Sequence, residues 1–331
     1  VYFKKQATFA VIGVAAMLFI SKIDYRFWKK FYKIAYIASI ILLLMVLIPG
    51  IGRSAGGARR WINLGIQFQP SELAKIGLII FYASYLTDHK DELKDFKKGF
   101  VKPLLYLIPV VLILILVQDH LSATIIIVLV VGIMMLMAGV RPKYFATVGT
   151  GVAVAGAAGL YAMAKFTSKG AFRIARITSF LNPWADKQGD GWQVIQSLYA
   201  IGSGGLFGVG LGQSKQKYLY ISEPHTDFIF AVLAEELGFV GCAIVIGLFG
   251  IFIWRGVLAA MKAPDMFGSL VAVGITSLIG LQAIINIAVV TSSMPVTGMP
   301  LPFFSYGVTS LLILLCSVGV LLNISRAGTK V

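Results

Sequence analysis

The chain is predicted to be an all-α integral membrane protein, a polytopic helical bundle, and three observations carry that prediction. Hydrophobic residues make up 58% of its 331 residues and charged ones 13%, with a mean hydropathy of +0.86, which is too apolar for an ordinary soluble domain. Long apolar runs recur, each able with its flanks to cross a hydrocarbon core of roughly 30 Å. Lys and Arg gather in the short connections between alternate runs, as the bias of cytoplasmic loops requires.

The runs follow in order. "AVIGVAAMLFI", "IAYIASIILLLMVLI", "IGLIIFYASYL", "LLYLIPVVLILILV", "ATIIIVLVVGIMMLMAGV" and "GTGVAVAGAAGLYAMA" occupy the first half, and residues 227–254, 267–290 and 308–325 complete nine expected spans. Placing Val1 outside puts "SKIDYRFWKK", "DHKDELKDFKKGFVK", "RPKY", "WRGVLAAMKAPD" and "RAGTK" in the cytoplasm. The outer side then receives "PGIGRSAGGARRWINLGIQFQPS", the tight "VQDH", a long loop over residues 165–226 and "TSSMPVTGMPLPFFSYG". An odd number of spans leaves the termini on opposite sides, so one further N-terminal span is expected to precede this numbering. The whole of residues 1–331 is expected to form a single transmembrane domain, with the 165–226 loop as part of it. Within that loop Trp192, Ile195, Leu198, Tyr199 and Ile201 fall on one side of a short helix lying at the bilayer interface.

A net charge of +15 and a pI near 9.8 could suggest nucleic acid, but no basic stripe interleaved with stacking aromatics falls on a soluble domain. The cytoplasmic cations serve topology and contact with anionic membrane lipids. The outer cations, Lys165, Lys169, Arg173, Arg176, Lys187, Lys215 and Lys217, lie where topology alone would not put them and so point to an anionic ligand or headgroup. Cys242 and Cys316 both sit inside expected spans, so neither a disulfide framework nor a metal-ligand spacing is present.

Chemistry in such a chain has to come from polar residues in or beside the membrane, which are costly to place there. Glu72 and Lys75 in "QPSELAK" fall three apart on one helical face, either as a mutual ion pair or as the lining of a cavity. Arg60 and Trp61 just before them suit an interfacial anchor or a ligand contact. Asp119, in the three-residue connection of Gln118, Asp119 and His120, either caps the next helix or makes a polar contact with Glu72 and Lys75. The glycines from Gly202 to Gly212 suggest a bendable loop acting as a gate, and "GVGLG" lacks the βαβ setting of a dinucleotide fingerprint. Thr226 or Asp227 can cap the helix that begins beyond Pro224, which sets the Asp227 carboxylate at the outer membrane edge. Glu235, about 12 Å deeper by helical rise, and Glu236 are expected to be structural, with cationic or hydrogen-bonded partners.

These residues carry a resemblance. The run from "NPWADKQGDGWQVIQSLYAIGSGG" through "SKQKYLYISEPHTDFIFAVLAEELGFVG", with "QPSELAK", "SKIDYRFW", "MPVTGMPLPFFSYGVTSLL" and "VGVLLNISR", resembles the SEDS family of bacterial shape, division and sporulation proteins over nearly the whole chain. The wording of "NPWAD" and "SKQKYLYISEPHTDFIF" is more similar to the division and spore-cortex branches, FtsW and SpoVE, than to the elongation branch, RodA. The resemblance implies ten transmembrane helices, of which this chain would begin just before the second. It implies a peptidoglycan glycosyltransferase that polymerises lipid II at the outer face of the bacterial cytoplasmic membrane, beside a class B penicillin-binding protein transpeptidase and other division or sporulation proteins.

The family's essential outer aspartate matches Asp227, and its polar cavity residues match Glu72, Lys75 and Asp119. Arg60, Trp61, Gln196, Lys217 and Ser305 complete the candidate substrate-binding set, and no metal ligand is assigned. Where the family usually has a second glycine after "SYG", this chain has Val308.

The chemistry agrees with one carboxylate. A sugar hydroxyl attacking an anomeric carbon needs a base, whereas a pyrophosphate leaving group needs charge stabilisation more than a proton, unlike the poor leaving group of glycoside hydrolysis. Asp227 is then the expected general base, with inversion at the donor carbon. Outer Lys or Arg residues would hold the pyrophosphate, and a divalent cation, Mg or Mn, is the one cofactor the chemistry leaves open. Two other functions fit a polar cavity among helices: a lipid II flippase or other transporter, and a noncatalytic division scaffold.

Overall fold

The computed structural model describes residues 2–55, 58–63, 67–151, 159, 180, 182–185, 191–216 and 225–329. Among its helices are α1 (Tyr2–Ile20), α2 (Tyr32–Met45), α3 (Pro70–Asp88), α4 (Lys102–Leu112), α5 (Leu121–Ala138), α6 (Trp192–Gly204), α7 (Ile229–Met261), α8 (Met266–Val290) and α9 (Val308–Gly328). Helices therefore stand at eight of the nine expected runs; the sixth, 149–164, lies largely outside the described residues. Among the described residues five helical stretches are long and apolar enough to cross a membrane: 96–117, 121–138, 229–261, 266–290 and 308–328. Large apolar side chains point outward along them, with Leu116 75%, Ile244 59% and Ile251 55% exposed. Such surfaces suit lipid and would be a liability in water.

Local sequence explains the element ends. Pro70 opens α3 at its first turn, where its missing N–H is no loss, and Gln69 before it is extended. Gly139 ends α5 in the left-handed conformation, its N–H bonding back to Leu136 and Met135. Pro109 lies inside α4, and the backbone widens into a π-helix over Ile113–Val117, closed by the Gln118 N–H on the Ile113 carbonyl at 3.1 Å.

One element departs from the all-helical expectation. Residues before α3 form a small antiparallel sheet, β1 (Gly52–Ala55), β2 (Ala58–Asn63) and β3 (Gln67–Phe68) in that order. Arg53 pairs with Trp61, and Ile62, fully buried, pairs with Phe68. The stretch is too polar and glycine-rich for a helix, and strand pairing satisfies its backbone instead.

The chain divides into two compact units interleaved in sequence. The first comprises residues 1–142, 251–280 and 307–331. In it α1 packs along α9 and α2 along α3, where Phe81 stacks on Tyr36 at 4.5 Å amid Tyr82, Tyr85 and Tyr106. Its expected cytoplasmic connections carry ion pairs: Lys29 with Asp88, Lys98 with Glu92, and Arg26 with Asp265. Asp265 also accepts from the Tyr25 hydroxyl at 2.7 Å and the Gly268 N–H at 2.8 Å.

The second unit comprises residues 143–250 and 281–306. Its first stretch of α7 is interrupted at Gly238, which adopts φ 66°, ψ −166°. The segment after α6 is stitched into that break. Val209 and Gly210 donate to the carbonyls of Glu235 and Glu236, while Phe239 and Val240 donate to those of Gly205 and Leu206. A Cβ on Gly238 would stand 2.4 Å from the Gly208 nitrogen, so only glycine fits. A short helix stands where one was expected, as α6; it buries Val194, Ile195, Gln196 and Ser197 and leaves Tyr199 half-exposed, so of the expected apolar side Ile195 is buried and Tyr199 is not.

Candidate active site

Two polar clusters emerge, one in each unit. In the first unit Glu72 and Lys75 form a buried ion pair at 2.8 Å, with side chains 7% and 4% exposed. The first of the two expected roles, the mutual ion pair, is present. The pair is mutual, and Lys75 also lines a narrow pocket with Leu78, Ile79, Ile126, Ile127, Val130, Val131 and Leu278. The Ser310 hydroxyl reaches the second Glu72 oxygen at 3.4 Å.

Arg60 comes from β2 to the tight connection between α4 and α5, donating to the Asp119 carbonyl at 2.5 Å and the Gln118 carbonyl at 3.2 Å. Trp61, half-buried, is its neighbour on β2. The connection is so short that Asp119 takes a left-handed conformation, φ 47°. Capping of α5 therefore falls to the next residue: His120 Nδ1 accepts from the Ala123 N–H at 3.0 Å. Gln118 fixes the same corner by donating to the Leu43 carbonyl at 2.9 Å.

Because His120 Nδ1 accepts, its proton sits on Nε2, which lies 2.9 Å from the Gln69 carboxamide. The atom that faces it is Gln69 Nε2; turning the carboxamide over would bring its oxygen to that N–H as acceptor. Burial, then the charges of Arg60 and Lys75, push the His120 pKa down to about 3, so the ring is neutral. Arg60, Asp119, His120, Glu72 and Lys75 thus belong to one neighbourhood.

The second cluster surrounds Asp227. Residues 225–228 form a turn, and α7 begins at Ile229, so neither Thr226 nor Asp227 is the residue immediately before it. Phe228 holds that place, its carbonyl accepting from Ala231 at 3.0 Å. The Asp227 carboxylate is half-buried and still close to a helix N-terminus, where the dipole favours an anion.

Every carbonyl of residues 225–227 is gripped by the final part of the unit. Tyr306 N–H donates to His225 at 2.7 Å, Ser305 hydroxyl to Thr226 at 2.5 Å, and Asn286 carboxamide to Asp227 at 2.7 Å. Gly298, φ 65°, presents bare backbone to the carboxylate: a Cβ there would lie 3.2 Å from Asp227 Oδ2. Ser305 therefore enters the site by holding backbone, through its hydroxyl on Thr226 and the Leu301 N–H on its oxygen at 2.7 Å. Gln196 is buried on α6, and Lys217 lies outside the described residues.

Glu235 is buried and accepts from the Ser214 hydroxyl at 2.5 Å and the Lys215 N–H at 3.0 Å, the hydrogen-bonded structural role expected of it. Asn286 and Gly298 were missed in the sequence. The signal was there for Asn286, since it and Gln282 interrupt the apolar run "SLIGLQAIINIAVV" four residues apart on one helical face. Val308 stands at the first position of α9 after Gly307 and is not among the left-handed residues, so no second glycine is required there.

A family described as "Cell cycle protein", of the FtsW, RodA and SpoVE type, matches residues 1–330, and the chain belongs to it. It is 47% identical over 324 residues to stage V sporulation protein E of Bacillus subtilis, covering 98% of this chain and 86% of that one. It is 44% identical over 325 residues to a probable peptidoglycan glycosyltransferase FtsW of a Geobacter species, again covering 98% and 86%. Among solved structures, one described as "Structural coordination of polymerization and crosslinking by a peptidoglycan synthase complex" matches with a TM-score of 0.83 at 29% identity, over 100% of this chain and 91% of that one. The rod shape determining protein RodA of Thermus thermophilus matches at 0.69 and 30% identity, over 98% and 87%. The protein is accordingly a multi-pass helical membrane protein of this family.

Proposed function

We infer that the chain is a peptidoglycan glycosyltransferase that polymerises lipid II at the outer face of the cytoplasmic membrane, with Asp227 as general base. The observation that carries this reading is the setting of Asp227: a half-buried carboxylate beside a helix N-terminus, on a turn whose three carbonyls are each held by a separate donor. A base must be aimed before its strength matters, and such a turn aims it. Asp227 takes the proton of the acceptor sugar hydroxyl, the hydroxyl oxygen bonds to the donor anomeric carbon with inversion, and the lipid pyrophosphate leaves with the bonding electrons.

Arg60, Trp61, Glu72, Lys75, Asp119, Gln196, Lys217 and Ser305 are the candidate substrate-binding residues. The geometry modifies their roles, with Lys75 neutralised by Glu72 and Ser305 bonded to backbone. Among the described residues no group of three or more His, Cys, Asp or Glu could hold a metal ion; a divalent cation, Mg or Mn, would supply charge stabilisation to the departing pyrophosphate. Nine spans in one domain over 1–331, an outward-facing site and a class B penicillin-binding protein as partner complete the proposal. It is supported by the FtsW relatives, named as glycosyltransferases, and by the synthase complex.

The test is to give the purified protein, with and without a transpeptidase partner, labelled lipid II, and to compare it with Asp227→Asn. Glycan strands from the parent alone support the enzyme. Movement of intact lipid between leaflets without polymer would indicate a flippase, and neither product a scaffold.

A further inference from the structure

We propose that Asn286 is a positioning residue for Asp227, an inference that rests on the general-base reading above. Asn286 is 1% exposed, deep in α8, and its Nδ2 donates twice: to the Asp227 carbonyl at 2.7 Å and to the Met299 carbonyl at 2.6 Å. Both partners are carbonyls, so the nitrogen has to face them; flipping the amide would set oxygen against oxygen. One carboxamide thus bonds the turn of the proposed base to the loop that contains Gly298.

The consequence follows from that loop. Gly298, one residue before Met299, is the backbone against which Asp227 Oδ2 rests, 3.2 Å from the place a Cβ would occupy. Asn286 therefore fixes both the main chain that carries the carboxylate and the surface that limits its swing. Tyr306 and Ser305 hold His225 and Thr226 but leave the Asp227 carbonyl to Asn286. A buried carboxamide costs free energy unless its polar groups are used; here both donors are used on the site, while Oδ1 is buried without a hydrogen-bond partner.

The experiment compares Asn286→Ala and the bulk-preserving Asn286→Leu with the parent, all purified with the transpeptidase partner and assayed on labelled lipid II. Gln282→Leu, one helical turn earlier on the same face, serves as the control. Loss of the clamp is expected to lower kcat on the order of 10- to 100-fold while KM and equilibrium binding of lipid II stay within about twofold, because aim is lost and substrate contacts are not. Gln282→Leu is expected to keep the parental kcat. The inference is overturned if the Asn286 variants keep kcat, if KM and binding collapse together with kcat, if Gln282→Leu loses kcat equally, or if neither Asn286 variant can be recovered folded. Asp227→Asn measured alongside separates the two failures: activity surviving there sinks the base, whereas activity lost there and kept in the Asn286 variants sinks only the positioning role.

Discussion

The Glu72–Lys75 pair is almost wholly out of water, which decides what its loss should do. A buried pair gains little over apolar residues of the same size, but removing one partner strands the other's charge. Lys75→Met is expected to destabilise the protein by about 3–5 kcal/mol, and Lys75→Met with Glu72→Gln to recover most of it. Thermal unfolding in detergent checks this; equal losses in the single and double variants would contradict it. His120 supplies a pH dependence. Its folded pKa, pushed by burial to about 3, lies below the 6.5 of an unfolded histidine. Between those values the unfolded chain holds a proton that the native ring does not, so the His120 contribution is complete above pH 6.5 and is lost as pH falls toward 3. His120→Asn, which keeps a capping side chain, is expected to flatten the fall of melting temperature with acid over that window. An unchanged slope would mean that His120 does not titrate as its surroundings dictate.

At the scale of elements, the break of α7 at Gly238 and the segment stitched into it form one unit of structure, secured by Glu235. Glu235→Ala removes the acceptor of the Lys215 N–H and the Ser214 hydroxyl, a loss on the order of 1–3 kcal/mol. Amide hydrogen exchange is expected to rise over residues 205–216, with α9 unaffected; exchange unchanged there would remove Glu235 from this role. The sequence showed the helices because a membrane span is written in hydropathy alone, from "ATIIIVLVVGIMMLMAGV" to "LLILLCSVGV". It did not show the β1–β3 sheet, whose short strands pair locally within residues 52–68 and carry little alternation of their own. Glu72 with Lys75 was legible because three-residue spacing defines one helix face, whereas the capping alternative for Asp119 fell because a two-helix corner this tight moved the cap to His120. Asn286 and Gly298 reach Asp227 only through tertiary structure.

For the molecule as a whole, two interleaved units place one polar cluster each, and the helices that carry them show apolar flanks to their surroundings. A membrane setting of this kind suits a substrate whose reactive sugar lies at the water boundary while its isoprenoid tail stays in lipid. Under the proposed function, chemistry at that boundary needs an ionised, aimed carboxylate for the acceptor hydroxyl and charge stabilisation for the departing diphosphate. The most direct measurement is single-turnover joining of labelled lipid II, supplied to the outer face of vesicles holding the protein and a transpeptidase partner, with Asp227→Asn beside the parent. The account predicts that the asparagine variant binds lipid II with parental affinity and joins it at least about 100-fold more slowly, the scale of a lost general base. Joining at the parental rate by the variant would contradict it.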